Sequence, residues 1–169
     1  MTKEYTLIVN TKDCFGCNAC EVACKQEHNL PIGPRLIRVY SDGPREIEGK
    51  PQLRYEVAHC MHCSQPLCKD VCPVDAIIKR EDGIVLINEE LCIGCKDCID
   101  ACPLGVMHFD EKQGIAQKCD LCVDRIELGL SPACVNACPG YCIYFGDVSE
   151  VSRRVGKHRL LTQYKDFSG

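Results

Sequence analysis

The sequence lacks the features that mark several common classes of protein. Its 169 residues include no tryptophan, six tyrosines and four phenylalanines. No run of about 18 apolar residues is present, so we predict no direct membrane span. Lys and Arg number 20 against 24 Asp and Glu, and the net charge of −4 predicts no nucleic-acid partner. The segment Met1–Leu7 has neither paired arginines nor a charged start before an apolar stretch, which predicts a cytoplasmic location.

Motifs that would bind a substrate or a nucleotide are missing as well. The sequence contains no nucleophile elbow, no glycine-rich phosphate loop and no dinucleotide fingerprint. We therefore expect no catalytic residues, and neither NAD nor flavin bound by the chain itself.

Cysteine, by contrast, is abundant, with 17 residues in the chain. Leu, Ile, Val and Phe together number 43 of the 169 residues, which suffices for modest cores but is thin for one large core. We therefore expect something besides apolar burial to hold the fold together. Because thiols stay reduced in the cytoplasm, metal ligands are favoured over disulfides.

Sixteen of the cysteines fall into four blocks of regular spacing. The blocks are Cys14, Cys17, Cys20 and Cys24; Cys60, Cys63, Cys68 and Cys72; Cys92, Cys95, Cys98 and Cys102; and Cys119, Cys122, Cys134 and Cys138. The first and third blocks have the spacing C-x2-C-x2-C-x3-C that is typical of bacterial ferredoxins. The spacing of the four blocks predicts four [4Fe–4S] clusters in all.

The spacing also predicts how each block connects two clusters. Three closely spaced cysteines fit a tight loop around one corner of a cluster, where backbone N–H groups can stabilise negative charge. The fourth cysteine follows four positions later, about 6 Å along a helix, so it reaches a different cluster. We expect clusters on the order of 10 Å apart, a spacing suited to electron transfer.

Two alternatives remain for the cysteines. Structural zinc is often bound by two well-separated C-x2-C pairs, and the fourth block alone would fit such a site. The first and third blocks fit zinc poorly, since the last cysteine of each would have no role. A disulfide scaffold is the third possibility.

The order of the blocks predicts an α+β fold of two bacterial-ferredoxin-like units, one inserted in the other, with short hairpins and short helices. Blocks two and three form an inner unit at 53–110, while blocks one and four form a split outer unit at 1–52 and 111–169. Asp82-Gly83 and Gly114 predict two hairpins. Strands are also predicted at Tyr5–Val9 and Leu36–Tyr40, followed by an exposed loop at Ser41–Gln52. Helices are predicted at Cys20–Glu27, Lys69–Val71, Asp97–Ala101, Asp120–Leu128 and Ser149–Arg153.

Five motifs point to one family. They are CFGCNACEVACKQEHN at 14–29, HCSQPLC at 62–68, DGIV at 82–85, LCIGC at 91–95 and FGD at 145–147. Together they resemble the four-cluster iron–sulfur subunits of molybdopterin- and tungstopterin-dependent oxidoreductases, such as dimethyl sulfoxide reductase and formate dehydrogenase. Small cytoplasmic subunits of tungsten aldehyde oxidoreductases and benzoyl-CoA reductase are similar too. Two features depart from the family pattern: Lys25 replaces a proline, and the short tail after Val155 has no transmembrane helix. The second departure counts against a quinone partner.

The resemblance implies a ligand set for each cluster. The sets are Cys14, Cys17, Cys20 and Cys138; Cys24, Cys119, Cys122 and Cys134; Cys60, Cys63, Cys68 and Cys102; and Cys72, Cys92, Cys95 and Cys98. It also implies an electron-transfer subunit rather than an enzyme. Such a subunit relays single electrons between a large pterin-bound molybdenum or tungsten subunit and a second partner, which is a flavin subunit, a ferredoxin or another copy of itself. A free-standing soluble polyferredoxin is the alternative.

Several residues near the blocks are expected to be structural. Cys142, the seventeenth cysteine, is predicted to be a small buried hydrophobe rather than a spare ligand or redox thiol. His62 is predicted to lie at the surface or to pack beside the ligands rather than bond to a sulfur. For the lysines beside ligands we favour solvated surface residues, and the alternative is that they raise the reduction potential of the nearby cluster; they are Lys25, Lys69, Lys96 and Lys118.

Overall fold

A computed structural model describes residues 3–156 and shows an α+β fold built from short elements. The strands are β1 (Tyr5–Val9), β2 (Ile37–Ile47), β3 (Lys50–His59), β4 (Ile77–Lys79), β5 (Val85–Ile87), β6 (His108–Asp110), β7 (Ile115–Gln117) and β8 (Ile143–Asp147). The helices are α1 (Ala19–Glu27), α2 (Leu67–Asp70), α3 (Asp97–Asp100), α4 (Val123–Glu127), α5 (Ala133–Asn136) and α6 (Val148–Gly156). The described strands pair into four two-stranded antiparallel sheets.

One sheet joins the beginning of the chain to a segment near its end. β1 pairs with β8, with Tyr5 opposite Asp147 and Val9 opposite Ile143. The rings of Tyr5 and Phe145 stack with centroids 5.4 Å apart. The sequence predicts β1 but not β8, because nothing in the local pattern indicates a partner so distant in the chain.

The prediction of an exposed loop at Ser41–Gln52 is wrong. The segment belongs to a long hairpin in which Ser41 lies opposite Tyr55 and Glu46 opposite Pro51. Gly43 and Pro44, which suggest a loop, lie where the register of the two strands shifts between Asp42 and Arg45. The two connecting residues, 48 and 49, both have positive φ, of 52° and 74°, as a tight hairpin turn requires. Proline is tolerated because the sheet has only two strands, so each strand has a free edge.

The short helices end before the prolines that follow the last cysteine of three blocks. α2, α3 and α5 are four residues long and end two residues before Cys72, Cys102 and Cys138, each of which precedes a proline. In the first block Lys25 stands at that place, and α1 continues for nine residues. The sequence does not predict α5, since Ala133–Asn136 is too short to give a periodic pattern.

Apolar burial is divided between two small cores. The larger core contains Leu7, Val9, Leu36, Ile37, Val57, Ile84, Leu121 and Ile143 together with buried cysteines. The smaller core contains Ile77, Val85, Cys98, Met107 and Ala116. The expected boundary after residue 52 falls inside β3, and the boundary after residue 110 separates β6 from β7. Val57 and Ala116 therefore each pack across an expected boundary.

Polar contacts link the two cores. Arg80 forms an ion pair with Glu127 at 2.8 Å, and the backbone N–H of Tyr5 donates to the carbonyl of Asp82 at 2.9 Å. His108 Nε2 lies 2.6 Å from the carbonyl oxygen of Arg35. Across residues 3–156, no helix combines the length and the apolar character needed to cross a membrane.

Candidate functional site

Each cysteine block bends the backbone at the same place. The residue immediately before the second cysteine has a positive φ in all four blocks: Gly16 at 72°, His62 at 46°, Gly94 at 70° and Leu121 at 63°. A left-handed residue reverses the local direction of the chain, so successive N–H groups can point to one side, as in an anion-binding nest. For His62 and Leu121 this conformation costs about 1–2 kcal/mol, which the surrounding structure must offset.

Two of these positions require glycine for a second reason. A Cβ atom added to Gly94 would collide with the backbone oxygen of Gly114, and one added to Gly16 would collide with the ring of Tyr55. The loops of the first and third blocks are therefore tightly covered by neighbouring chain. This covering fixes the loops that carry the cysteines.

One cavity lies between blocks one and four. It is lined by Cys14, Cys17, Cys20 and Cys138, together with Cys142. Burial raises the pKa of Cys20 to about 12, and the neighbouring Cys14 and Cys138 thiols contribute to the rise. The structure thus brings together the first three cysteines of block one and the last cysteine of block four.

A second cavity lies between blocks two and three and is lined by Cys60, Cys63, Cys68 and Cys102. Burial raises the pKa of Cys68, with Cys60 and Cys102 adding to the rise, while the ammonium of Lys118 opposes it. The last cysteine of block three thus meets the first three of block two.

A third cavity is lined by Cys72, Cys92, Cys95 and Cys98. Burial raises the pKa of Cys98 to about 11, and Cys92 and Cys95 contribute. The last cysteine of block two therefore meets the first three of block three. The two inner blocks exchange their fourth cysteines in this way.

The remaining four cysteines also approach one another. Burial raises the pKa of Cys24, and Cys119 and Cys122 add to the rise. The pKa of Cys134 is raised by burial and then by Cys122 and Cys24. This group contains the first three cysteines of block four and the last one of block one.

A histidine that the sequence does not indicate contacts this last group. His28 Nε2 lies 3.5 Å from Cys122 Sγ and 3.4 Å from a carboxylate oxygen of Asp120. His28 is far from the other two residues along the chain, so no ligand spacing reveals it. His28 can donate a hydrogen bond to the thiolate of Cys122.

The donor sets fit iron–sulfur clusters. Burial disfavours the ionised form of a thiol and raises the pKa of Cys20 and Cys98, so four buried thiols ionise together only beside a compensating cation. Four thiolates with backbone N–H donors nearby match the usual surroundings of a [4Fe–4S] cluster. Such donors are present, because the N–H of Ala76 donates to Cys72 Sγ at 3.3 Å and that of Leu121 to Cys119 Sγ at 3.4 Å.

Cys142 is buried, with 4% of its surface exposed, in agreement with the sequence prediction. Its sulfur lies 3.5 Å from Cys138 Sγ, so it also lines the first cavity. A fifth thiol at this position can donate a hydrogen bond to the thiolate of Cys138.

The predictions for His62 and Lys118 are only partly right. Lys118 is predicted at the surface, but only 6% of it is exposed, because its side chain reaches the carbonyl oxygen of Val85 in β5. His62 is buried rather than at the surface, and it lines the cavity of the Cys60 group. Burial lowers the pKa of His62 to about 2, with Lys118 and His59 acting in the same direction.

Comparison with known families finds two matches, both described as a 4Fe-4S dicluster domain. One covers residues 51–148 and the other residues 13–76. The two overlapping matches together include all four cysteine blocks.

Similar proteins occur among reductase subunits. The thiosulfate reductase electron transfer subunit of Salmonella typhi is 36% identical over an alignment that covers 100% of this chain and 90% of the relative. The B subunit of polysulfide reductase from Wolinella succinogenes is 36% identical, covering 93% of this chain and 83% of the relative. The B subunit of anaerobic dimethyl sulfoxide reductase from Escherichia coli is 37% identical, covering 92% and 80% respectively.

Proposed function

The chain belongs to the 4Fe-4S dicluster family of iron–sulfur electron-transfer subunits, and from this premise we propose which of its residues bind four [4Fe–4S] clusters and which partner exchanges electrons with them. The clusters supply one-electron oxidation and reduction, while the chain binds them, fixes their spacing and sets their surroundings. The protein is an electron-transfer subunit and not the catalytic one.

We propose that the four ligand sets are the four cysteine groups described above. The observation that carries this assignment is the exchange of fourth cysteines between blocks. Cys138 lines the cavity of block one, Cys102 that of block two and Cys72 that of block three. Each exchange makes one short helix a ligand bridge between two clusters.

The same exchange supports a linear order of clusters. The helix α1 carries Cys20 of one group and Cys24 of the next. Lys118 connects the Cys24 group to the Cys60 group, because it lines the cavity of Cys60 and its Nζ donates to the carbonyl oxygen of Cys119 at 2.8 Å. We therefore propose that electrons pass from the Cys14 group through the Cys24 group and the Cys60 group to the Cys72 group, or in the reverse direction.

The division into an outer and an inner unit is proposed with this order. The two apolar cores and the paired exchange within blocks one and four, and within blocks two and three, support it. The hairpins β2–β3 and β6–β7 each remain within one unit if the boundaries lie outside them.

We further propose that the partner is a large catalytic subunit with a pterin-bound molybdenum or tungsten centre. The relatives named as reductase subunits support a catalytic partner. Both ends of the proposed series reach the surface, since Cys17 is exposed in the Cys14 group and Cys95 in the Cys72 group. An exposed apolar side chain lies near each end: Tyr141 beside the Cys14 group and Leu91 beside the Cys72 group. A flavin subunit, a ferredoxin or a second copy of the chain would take the other end.

We propose the cytoplasm as the location, with a role in anaerobic metabolism. Sixteen ligand thiols have to stay reduced until the clusters bind, which suits a reducing compartment. Immunoblotting of separated cell fractions tests this location.

The decisive experiment is anaerobic purification of the tagged chain from its native cells, followed by metal analysis. We expect about sixteen iron atoms per chain and a co-purifying large subunit that contains molybdenum or tungsten. Iron in the chain without any large partner would support the free polyferredoxin instead. Zinc in place of iron would overturn both.

Matched variants locate the partner. Tyr141→Asp places a charge at one end of the series and Leu91→Asp at the other, and both side chains are exposed, at 84% and 50%. We expect one variant to release the large subunit while both keep their iron. Retention of the partner by both variants would contradict docking at the ends.

A further inference from the structure

His62 has an unsatisfied hydrogen-bond donor in the interior. The backbone N–H of Val85 donates to His62 Nδ1 at 3.0 Å, so Nδ1 is an acceptor and the proton of the neutral ring is on Nε2. Nε2 is buried and has no hydrogen-bond partner among the described residues. A buried N–H without an acceptor is unfavourable, so this donor indicates an acceptor that the polypeptide itself does not provide.

Lys118 places a cation close to His62, because both side chains bond to the backbone of Val85. Its Nζ donates to the carbonyl oxygens of Val85 and Cys119, the latter at 2.8 Å, which leaves one of its three N–H groups. No carboxylate forms an ion pair with Lys118 in the part of the chain that the structure describes. A buried ammonium needs a nearby negative charge, because its desolvation is otherwise unfavourable.

The two donors line the cavity of the Cys60 group, which has a volume of about 150 Å³. A cavity needs only about 10–15 Å³ by this measure to hold one water molecule, so this cavity has room for more than a bridging water. We propose that His62 Nε2 and Lys118 Nζ donate hydrogen bonds to the sulfur atoms of the cluster held there, and that they raise its reduction potential above that of the cluster in the Cys72 group.

The physical basis is electrostatic. Reduction adds one electron to a centre that is already negative, with no bond broken and no proton required. A buried cation and a buried N–H dipole both favour the more negative state, and low dielectric surroundings strengthen the effect. The electron comes from the redox partner, so this inference rests on the proposed function and its ligand sets.

The neighbouring cavity of the Cys72 group provides the contrast. Besides its cysteines it is lined mostly by apolar side chains: Val74, Ala76, Ile77, Ile87, Ile93 and Ala116. The lysine in its lining, Lys96, is 47% exposed at the side chain. Its Nζ lies 3.8 Å from the ring centroid of Phe109 and 3.5 Å from a carboxylate oxygen of Glu111. Solvent and the carboxylate compensate that charge, so it stabilises the added electron less.

The test is a redox titration of the four-cluster chain, monitored by electron paramagnetic resonance under anaerobic conditions. His62→Asn keeps an acceptor for the N–H of Val85 and loses the Nε2 donor. Lys118→Met removes the charge, and Lys118→Arg retains it. Lys79→Met is the matched control, because Lys79 Nζ also donates to two carbonyls beside this cluster, those of Cys63 and Ser64, but these bonds lie at the exposed surface.

We expect Lys118→Met to lower one reduction equilibrium constant at least tenfold, which is about 59 mV for one electron. We expect His62→Asn to lower the same constant about threefold, whereas Lys118→Arg and Lys79→Met change it less than twofold. The signal that shifts most must be the one that Cys102→Ala abolishes. Iron content is measured for every variant, and His62→Asn decides the matter if Lys118→Met loses iron.

The outcomes separate the two levels of inference. Unshifted potentials in both variants, with about sixteen irons in the wild-type chain, would overturn this inference alone. A shift of equal size in Lys79→Met would also overturn it. A wild-type chain without four clusters would overturn the proposed ligand sets as well.

Discussion

The helix α1 offers the sharpest test of the proposed ligand sets, because it carries two ligands of different clusters. Cys20 and Cys24 lie one turn apart, about 6 Å along the helix axis, and both are buried, at 7% and 6% exposed. Cys20 lines the cavity of Cys14, whereas Cys24 approaches Cys119. We therefore predict that replacing either cysteine by alanine removes a different cluster.

The iron content gives the expected magnitude. Each single variant should fall from about sixteen iron atoms per chain to about twelve, and the double variant Cys20→Ala/Cys24→Ala to about eight. The matched control is Cys142→Ala, which changes a buried cysteine of the same region and should keep about sixteen. The assay is iron and sulfide analysis after anaerobic purification, with spectra of the reduced protein. A double variant with about twelve irons would refute the reasoning, since both cysteines would then serve one cluster.

Three further predictions concern stability. Gly94→Ala should lower the free energy of unfolding by about 2 kcal/mol or more and lower the iron content, because a φ of 70° is strained for alanine and the new Cβ meets Gly114. Gly129→Ala is the control: its φ is 74° but the space around it is open, so urea unfolding should show a loss of only about 1 kcal/mol. Removal of iron by a chelator should leave the chain largely unfolded, since two small cores hold it, and a native-like far-ultraviolet circular dichroism spectrum would contradict this. Burial lowers the pKa of His59, so protons bind the unfolded chain more strongly and stability should fall as the pH drops below about 6.5, by up to about 1.4 kcal/mol per unit; a urea midpoint equal at pH 7 and 5.5 would refute this.

Much of the site could be predicted from the sequence because cluster ligation imposes a local spacing. The hairpin at Asp82-Gly83 and the helix at Cys20–Glu27 agree with the structure within a residue or two, since turn chemistry and ligand spacing act over short distances. The structure brings the sixteen cysteines together in the groups that the resemblance implies.

What could not be predicted depends on contacts between distant residues. Proline and glycine at 43, 44, 49 and 51 normally indicate a loop, and only the register of β2 against β3 shows that a bulge and a tight turn accommodate them. Lys118 follows the pattern of a surface lysine, and only the position of β5 buries it. His28 has no local signal, because its neighbour Cys122 lies 94 residues away.

The pairing of β1 with β8 has a consequence for how the protein is made. Residues 5–9 emerge early during synthesis but find their partner strand only when residues 143–147 have been synthesised. Blocks two and three, between residues 60 and 102, are complete well before that and can acquire their iron first. Because domains form in the order in which their parts become available, maturation should proceed from the middle of the chain outward, and the early strand needs protection from wrong partners meanwhile.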